Sequence, residues 1–143
     1  MKNRAARRTD DDVTIDGAVV SVNDVEAALI AHEAVCEAAV LPFQHPTKGL
    51  SLWAFVTVEA DVTPTDVLGA DLKGYIRREM SPQAAPAVVQ FARALPKTRD
   101  GDVVRGVLTR IAETGGAEGG DLSEVADRSV VDELVKSRAD ALA

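Results

Sequence analysis

The sequence predicts a compact α+β domain with a helical C-terminal extension, and three observations lead there. An Asp16-Gly17 pair sits between two β-branched runs, Leu50 to Val58 alternates with the period of a strand, and four other segments repeat apolar residues at helical spacing. The elements follow in order. Val13 to Val20 reads as a hairpin with Asp16-Gly17 in its tight turn. Ser21 and Asp24 form a capping-box pattern, after which Val25, Ala28, Leu29 and His32 share one helical face. Val35 to Leu41 is a short apolar strand. In the next strand Leu50, Leu52, Ala54, Val56 and Val58 point one way, and Trp53 and Phe55 the other.

Asp61 to Thr65 is a turn, and Thr63 as cap with Pro64 as first helical residue opens a second helix. Its core face is Leu68, Leu72, Tyr75 and Ile76, and Pro82 ends it. Val88 to Ala92 is a further strand that runs straight into the loop Leu95 to Asp102. Val104, Val107, Leu108 and Ile111 then repeat at helical spacing. Gly115 to Gly120 is a Gly-rich flexible segment, beyond which Ser129 with Asp132 caps a last amphipathic helix built on Val131, Leu134 and Val135. The chain thus divides into an N-terminal arm over residues 1–12, a domain over 13–114, and a linker with C-terminal helix over 115–143.

Composition narrows the function classes. The 143 residues make one domain's worth of chain, with 46% apolar and 27% charged residues, as in ordinary soluble proteins. Aromatics are only 3%, so the core must be built mainly from Val, Ala and Leu. A net charge of −7 argues against a nucleic-acid partner, because phosphate binding needs a basic surface. No apolar run approaches the ~20 residues of a membrane span, so no membrane partner is expected. Met1 to Ala6 is positively charged but leads into no apolar stretch of a secretory signal. The lone Cys36, in an apolar strand segment, reads as a buried structural cysteine. These features point to a cytoplasmic protein. No metal-ligand cluster is readable: His32 is a helix-end residue and His45 a turn residue. No nucleophile–base arrangement appears, and the paired glycines near 115–120 lack the Lys-Ser/Thr of a phosphate loop.

The loop Leu95-Pro96-Lys97-Thr98-Arg99-Asp100-Gly101-Asp102 resembles the L-P-K-T-R-S-G-K loop near the end of acetyl-CoA synthetases, the acetate and propionate branch of the adenylate-forming enzymes. Further segments match in order: Arg8-Thr9-Asp10-Asp11, Val25-Glu26-Ala27-Ala28-Leu29, Ala38-Ala39-Val40, and His45 followed by Lys48-Gly49. The tail Ala126-Asp127-Arg128-Ser129-Val130-Val131-Asp132 is similar to the A-D-P-S-V-V-D of that branch. The resemblance runs from about Arg8 to about Leu134. It is to the small C-terminal lid domain that follows the large AMP-binding domain, and it implies a small mixed β-sheet flanked by helices.

In that family the lid rotates between an adenylating pose and a thioester-forming pose. Asp10 aligns with the hinge aspartate, although as residues alone Asp10, Asp11 and Asp12 read as a solvated acidic turn. Gly17 aligns with the glycine beside which the pantetheine arm of CoA passes; a missing Cβ suits that passage and suits the hairpin turn equally. Arg77 aligns with an arginine that binds CoA phosphates, and beside Arg78 it also reads as a solvated helix-face cation. Three family cations are replaced. The arginine that reaches ATP phosphates is Val19, with Ala18 in place of the preceding histidine, a basic position after the loop is Gly106, and the catalytic lysine is Asp102. Opposite unit charges ~4 Å apart gain on the order of 4 kcal/mol at an effective dielectric of ~20, and like charges lose as much. Lys to Asp beside a developing acyl phosphate therefore implies a rate loss of about a thousandfold or more.

The resemblance implies a stand-alone lid domain, catalytically incomplete alone, with no cofactor of its own beyond possible CoA. It would act in trans with a separate AMP-binding large domain in acetate or propionate ligation to CoA. The alternative expectation is a non-enzymatic protein-interaction module, or a truncated remnant of a longer synthetase.

Overall fold

A computed structural model describes residues 12–45, 47, 49–114 and 125–142. Asp10 with its neighbours, Lys48, and the segment Gly115 to Gly120 lie outside the described residues. The elements are β1 (Asp12–Ile15), β2 (Ala18–Ser21), α1 (Val22–Ala31), β3 (Val35–His45), β4 (Gly49–Val58), α2 (Asp66–Glu79), β5 (Val88–Phe91), α3 (Arg105–Thr114) and α4 (Arg128–Leu142).

The β1–β2 hairpin forms because Asp16 and Gly17 both adopt positive φ, 50° and 82°, the pair of values that a tight hairpin turn demands. It stands as its own two-stranded sheet, and the main sheet has the order β3-β4-β5. β3 and β4 are antiparallel and β5 is parallel to β4, so the main sheet is mixed, and with the four helices of the described residues the domain is α+β as the sequence predicts.

The period-2 pattern of β4 explains the layering. Leu52, Ala54 and Val56 meet Val25 and Leu29 of α1 and Leu72 and Ile76 of α2 on one face. Trp53 and Phe55 meet Val107, Leu108 and Ile111 of α3 and Val130, Val131 and Leu134 of α4 on the other. Each face buries its own apolar cluster, so the central strand is apolar on both sides. The C-terminal helix is part of the second layer and shares a core with α3.

Three local expectations are corrected. α2 begins at Asp66, and its cap is Thr65, whose Oγ1 accepts the Leu68 N–H at 3.1 Å; the first turn closes after Pro64 rather than on it. α4 begins at Arg128, and Asp127 is its cap, accepting the Ser129 N–H at 3.0 Å; a carboxylate just ahead of the helix reaches that orphan donor, and Ser129 is already inside the helix. Cys36 is exposed rather than buried. The β3–β4 register slips between Val35 and Glu37, and this bulge turns the thiol outward.

Candidate functional site

The loop from Leu95 to Asp102 is a tight hairpin. Lys97 and Val103 pair across it, the Thr98 N–H donates to the Asp102 carbonyl at 2.8 Å, and the Gly101 N–H donates to the Thr98 carbonyl at 3.0 Å. Gly101 takes φ 94°, the left-handed residue that closes a three-residue hairpin turn. The Asp102 N–H donates to Thr98 Oγ1 at 3.2 Å, so backbone groups and one hydroxyl define the loop. The Asp102 side chain takes no part. Its carboxylate is exposed and has no ion-pair partner among the described residues.

The base of the loop is tied to the rest of the domain by charges. Lys97 Nζ pairs with Glu37 of β3, which turns this cation away from the loop tip. Just after the loop, Arg105 grips Glu26 of α1 with two contacts, Nη1 to Oε2 at 2.6 Å and Nη2 to Oε1 at 2.7 Å. Glu26 is only 9% exposed, and its Oε2 also accepts the Val40 N–H at 2.8 Å. β3 is an edge strand, so its outward N–H groups need partners, and this carboxylate supplies one. Sequence reasoning missed Glu26 and Arg105. The available signal was an acid between Val22, Val25 and Leu29 on the buried stripe of α1.

The C-terminal segment holds the loop from the other side. The Ala126 N–H donates to the Lys97 carbonyl at 2.8 Å. Arg138 donates to the carbonyls of Ile111 and Ala112 at 2.7 and 3.0 Å, satisfying the C-terminal end of α3, and lies 5.3 Å over the Trp53 ring. Gln90, buried in β5, donates to the Leu134 carbonyl at 2.9 Å and to Ser137 Oγ at 2.8 Å. On the surface Arg93 pairs with Glu133 at 2.9 Å. The Arg93 hydrogen bond holds Glu133 below the usual carboxylate range, and Glu133 in turn raises Arg93. The Ser129 hydroxyl, then its N–H, lowers Asp127.

A second region holds Arg77, the one predicted site residue among the described residues that lines it. Arg77 and the turn residue Asp16 line one cleft of about 540 Å³, together with Leu50, Ser51 and Leu52 of β4 and Pro82, Gln83, Ala85, Pro86 and Ala87. Gly17 stands exposed beside Asp16, with open space where a Cβ would project. Lys73, one turn before Arg77 on α2, lines the same cleft and was not singled out in the sequence. Val19 is 72% exposed and lines a different cleft with Met80 and Asp24. Gly106 is exposed in the first turn of α3. Neither Asp102 nor Val19 lines the cleft of Arg77. Two cations with hydroxyl and amide neighbours suit an anionic ligand there, whereas the exposed Asp102, Val19 and Gly106 offer no cation to a triphosphate.

Among the described residues no group of three or more His, Cys, Asp or Glu could hold a metal ion. His32 accepts the Ala34 N–H on Nδ1 at 3.1 Å and meets Asp71 through Nε2 at 3.3 Å, a helix-end role. No helix of the described residues is long and apolar enough to cross a membrane.

Residues 24–102 match the family model of the AMP-binding enzyme C-terminal domain. The chain is 46% identical over 132 residues to an acetyl-coenzyme A synthetase of Caulobacter vibrioides, covering 92% of this chain and 20% of that protein. It is 46% identical over 131 residues to the acetyl-coenzyme A synthetase of Bradyrhizobium diazoefficiens, with the same two coverages, 92% and 20%. The crystal structure of Brucella canis acyl-CoA synthetase superposes with a TM-score of 0.66 at 34% identity, covering 72% of this chain and 19% of that one. The chain therefore spans about a fifth of the length of the curated relatives it matches.

Proposed function

The chain belongs to the AMP-binding enzyme C-terminal domain family, and on that premise we propose that it serves as a lid in thioester formation and not in adenylation. It acts in trans with a separate AMP-binding domain in acetate or propionate ligation to CoA, and is catalytically incomplete alone. The observation that carries this reading is a division between two regions. Arg77 and Asp16 line one cleft of a size suited to a cofactor, about 540 Å³, and Gly17 follows Asp16 in the chain without lining it. The loop that would serve adenylation presents the exposed carboxylate of Asp102 instead of an ammonium. CoA is the ligand proposed for the cleft, and Asp10 the hinge. A cytoplasmic setting goes with this reading, supported by the sequence having a single cysteine and hence no internal disulfide.

Two measurements test it. The purified chain should catalyse no ATP–pyrophosphate exchange with acetate, and Asp102→Lys alone should not restore it. Exchange above background in the unaltered chain overturns the proposal. In a CoA titration, saturable binding weakened by Arg77→Ala supports the thioester role. No CoA binding together with tight association to another protein favours the interaction-module reading, for which Val19 offers an exposed apolar side chain.

A further inference from the structure

We propose that the segment from Val125 through α4 is a strap that sets the pose of the loop Leu95 to Asp102, so that loop and α4 open together as one unit while the α1 and α2 layer stays folded. Three sets of contacts converge on this. The Ala126 N–H donates to the Lys97 carbonyl at 2.8 Å, so the strap bonds the backbone of the loop itself. Val125 and Leu95, 7% and 3% exposed, lie in the same buried cluster as Val130, Val131 and Leu134 of α4. The grips of α4 then fall on both arms of the loop. On the arm before it, Gln90 donates to the Leu134 carbonyl and to Ser137 Oγ, and Arg93 pairs with Glu133. On the arm after it, Arg138 donates to the Ile111 and Ala112 carbonyls of α3. One helix thus holds the chain on either side of the loop, and it lies outside residues 24–102, which carry the family match.

The division of the core decides which parts open with the strap. The cluster under α1 and α2 holds no residue of α4 or of the loop, so loosening α4 removes none of its contacts. Proteins open in contiguous units of this kind, at free energies below that of global unfolding. The loop has two ion-pair ties to the other layer. Lys97–Glu37 joins two side chains that are each about a third exposed, and such a pair holds weakly in water. Arg105–Glu26 is the stronger, but Arg105 stands past the loop as the first residue of α3, so it secures the root of the loop and not its tip. Neither the strap nor the loop lines the cleft of Arg77, so the strap stands whether or not that cleft takes CoA.

The test is amide hydrogen exchange by NMR on the full chain, in urea rising towards the unfolding midpoint. Thr98, Val104 and Ala126 report the loop and its tie, Val135 and Arg138 report α4, and Leu29 and Leu72 report the other layer. In the parent, loop and α4 amides should share one opening free energy and one urea slope, both smaller than those of Leu29 and Leu72. Leu134→Ala should lower the protection of loop and α4 amides together, by about thirtyfold or more. If that variant does not fold, Ser137→Ala, which removes an acceptor from Gln90, should lower both by about fivefold. Ile76→Val, in the other layer, should lower Leu29 and Leu72 by about fivefold and leave loop and α4 amides within about twofold of the parent. Loop protection that stays unchanged while that of α4 falls overturns the strap. So does a loop that exchanges with the urea slope of Leu29 and Leu72, or that loses protection in Ile76→Val as they do, since it then opens only with the whole domain.

Discussion

Removing the Glu26 carboxylate should cost the domain a large part of its stability. The group is 9% exposed and accepts three contacts, from Val40 N–H at 2.8 Å and from two Arg105 nitrogens at 2.6 and 2.7 Å. Glu26→Ala strands the Val40 N–H on a covered strand edge, worth about 1–3 kcal/mol. It also removes the Glu26 carboxylate from Arg105. The side chain of Arg105 is 35% exposed, so water recovers much of that charge and the further loss is about 1 kcal/mol, well under that of a fully buried pair. The expected total is about 2–4 kcal/mol, against a typical domain stability of ~5–15 kcal/mol. Glu26→Gln keeps a carbonyl for Val40 but loses the charge and sets an amide NH2 donor in place of one oxygen that accepts from Arg105, so it should cost about 1–2 kcal/mol. Urea unfolding followed by fluorescence of Trp53, the only tryptophan and fully buried, reads these differences directly. With a slope of ~2 kcal/mol per molar, Glu26→Ala moves the midpoint down by about 1–2 M. The Glu26→Ala, Arg105→Ala double variant should be less destabilised than the sum of the singles, by at least ~0.5 kcal/mol. A Glu26→Ala midpoint within about 0.2 M of the parent, or strictly additive singles, would refute the reasoning.

Three further outcomes follow from the same geometry. Asp102→Lys should leave the melting temperature unchanged, a stability change within ~0.5 kcal/mol, because no loop hydrogen bond uses that side chain; a larger loss would show that the carboxylate shapes the loop. Gly101→Ala should cost about 1–2 kcal/mol by calorimetry, a pure backbone effect at φ 94° with open space around the new methyl, and a melt unchanged within error would contradict the left-handed turn. Glu133 and Asp127 have folded-state values below their ordinary ones, so their contributions are complete above the usual carboxylate range and are lost as pH falls through the lowered values. Amide protection factors in α4, corrected for the intrinsic pH dependence of exchange, should therefore fall below about pH 4, and less steeply in Glu133→Gln; protection factors that do not change with pH would rule this out.

Much of the architecture was legible because it rests on local rules. The Asp16-Gly17 turn, the Ser21 cap and the alternation from Leu50 to Val58 each reflect a short-range constraint, and each folds as read. The shifted caps of α2 and α4 show the resolution of such rules, since Thr63 and Thr65, or Asp127 and Ser129, are near-equivalent side-chain acceptors for a cap. Cys36 was misread because a bulge depends on pairing register across two strands, which no window of one strand contains. The site divides the same way. Arg77 and Gly17 could be named from the resemblance, but that Arg77 shares a cleft with Asp16, and that Gly17 does not line it, are tertiary facts. The Glu26–Arg105 and Lys97–Glu37 pairs span 79 and 60 residues, and one sequence offers no signal at that range.

The doubly buried central strand has one more consequence. The cleft of Arg77 is built on the α1 and α2 side of the sheet, and the loop of Asp102 runs into the α3 and α4 side. The apolar sheet lies between the two, and the Arg105–Glu26 pair that ties the base of the loop to α1 does not line the cleft. A domain laid out in this way can lose one chemistry by exposed substitutions alone and keep the other, with the sheet itself untouched.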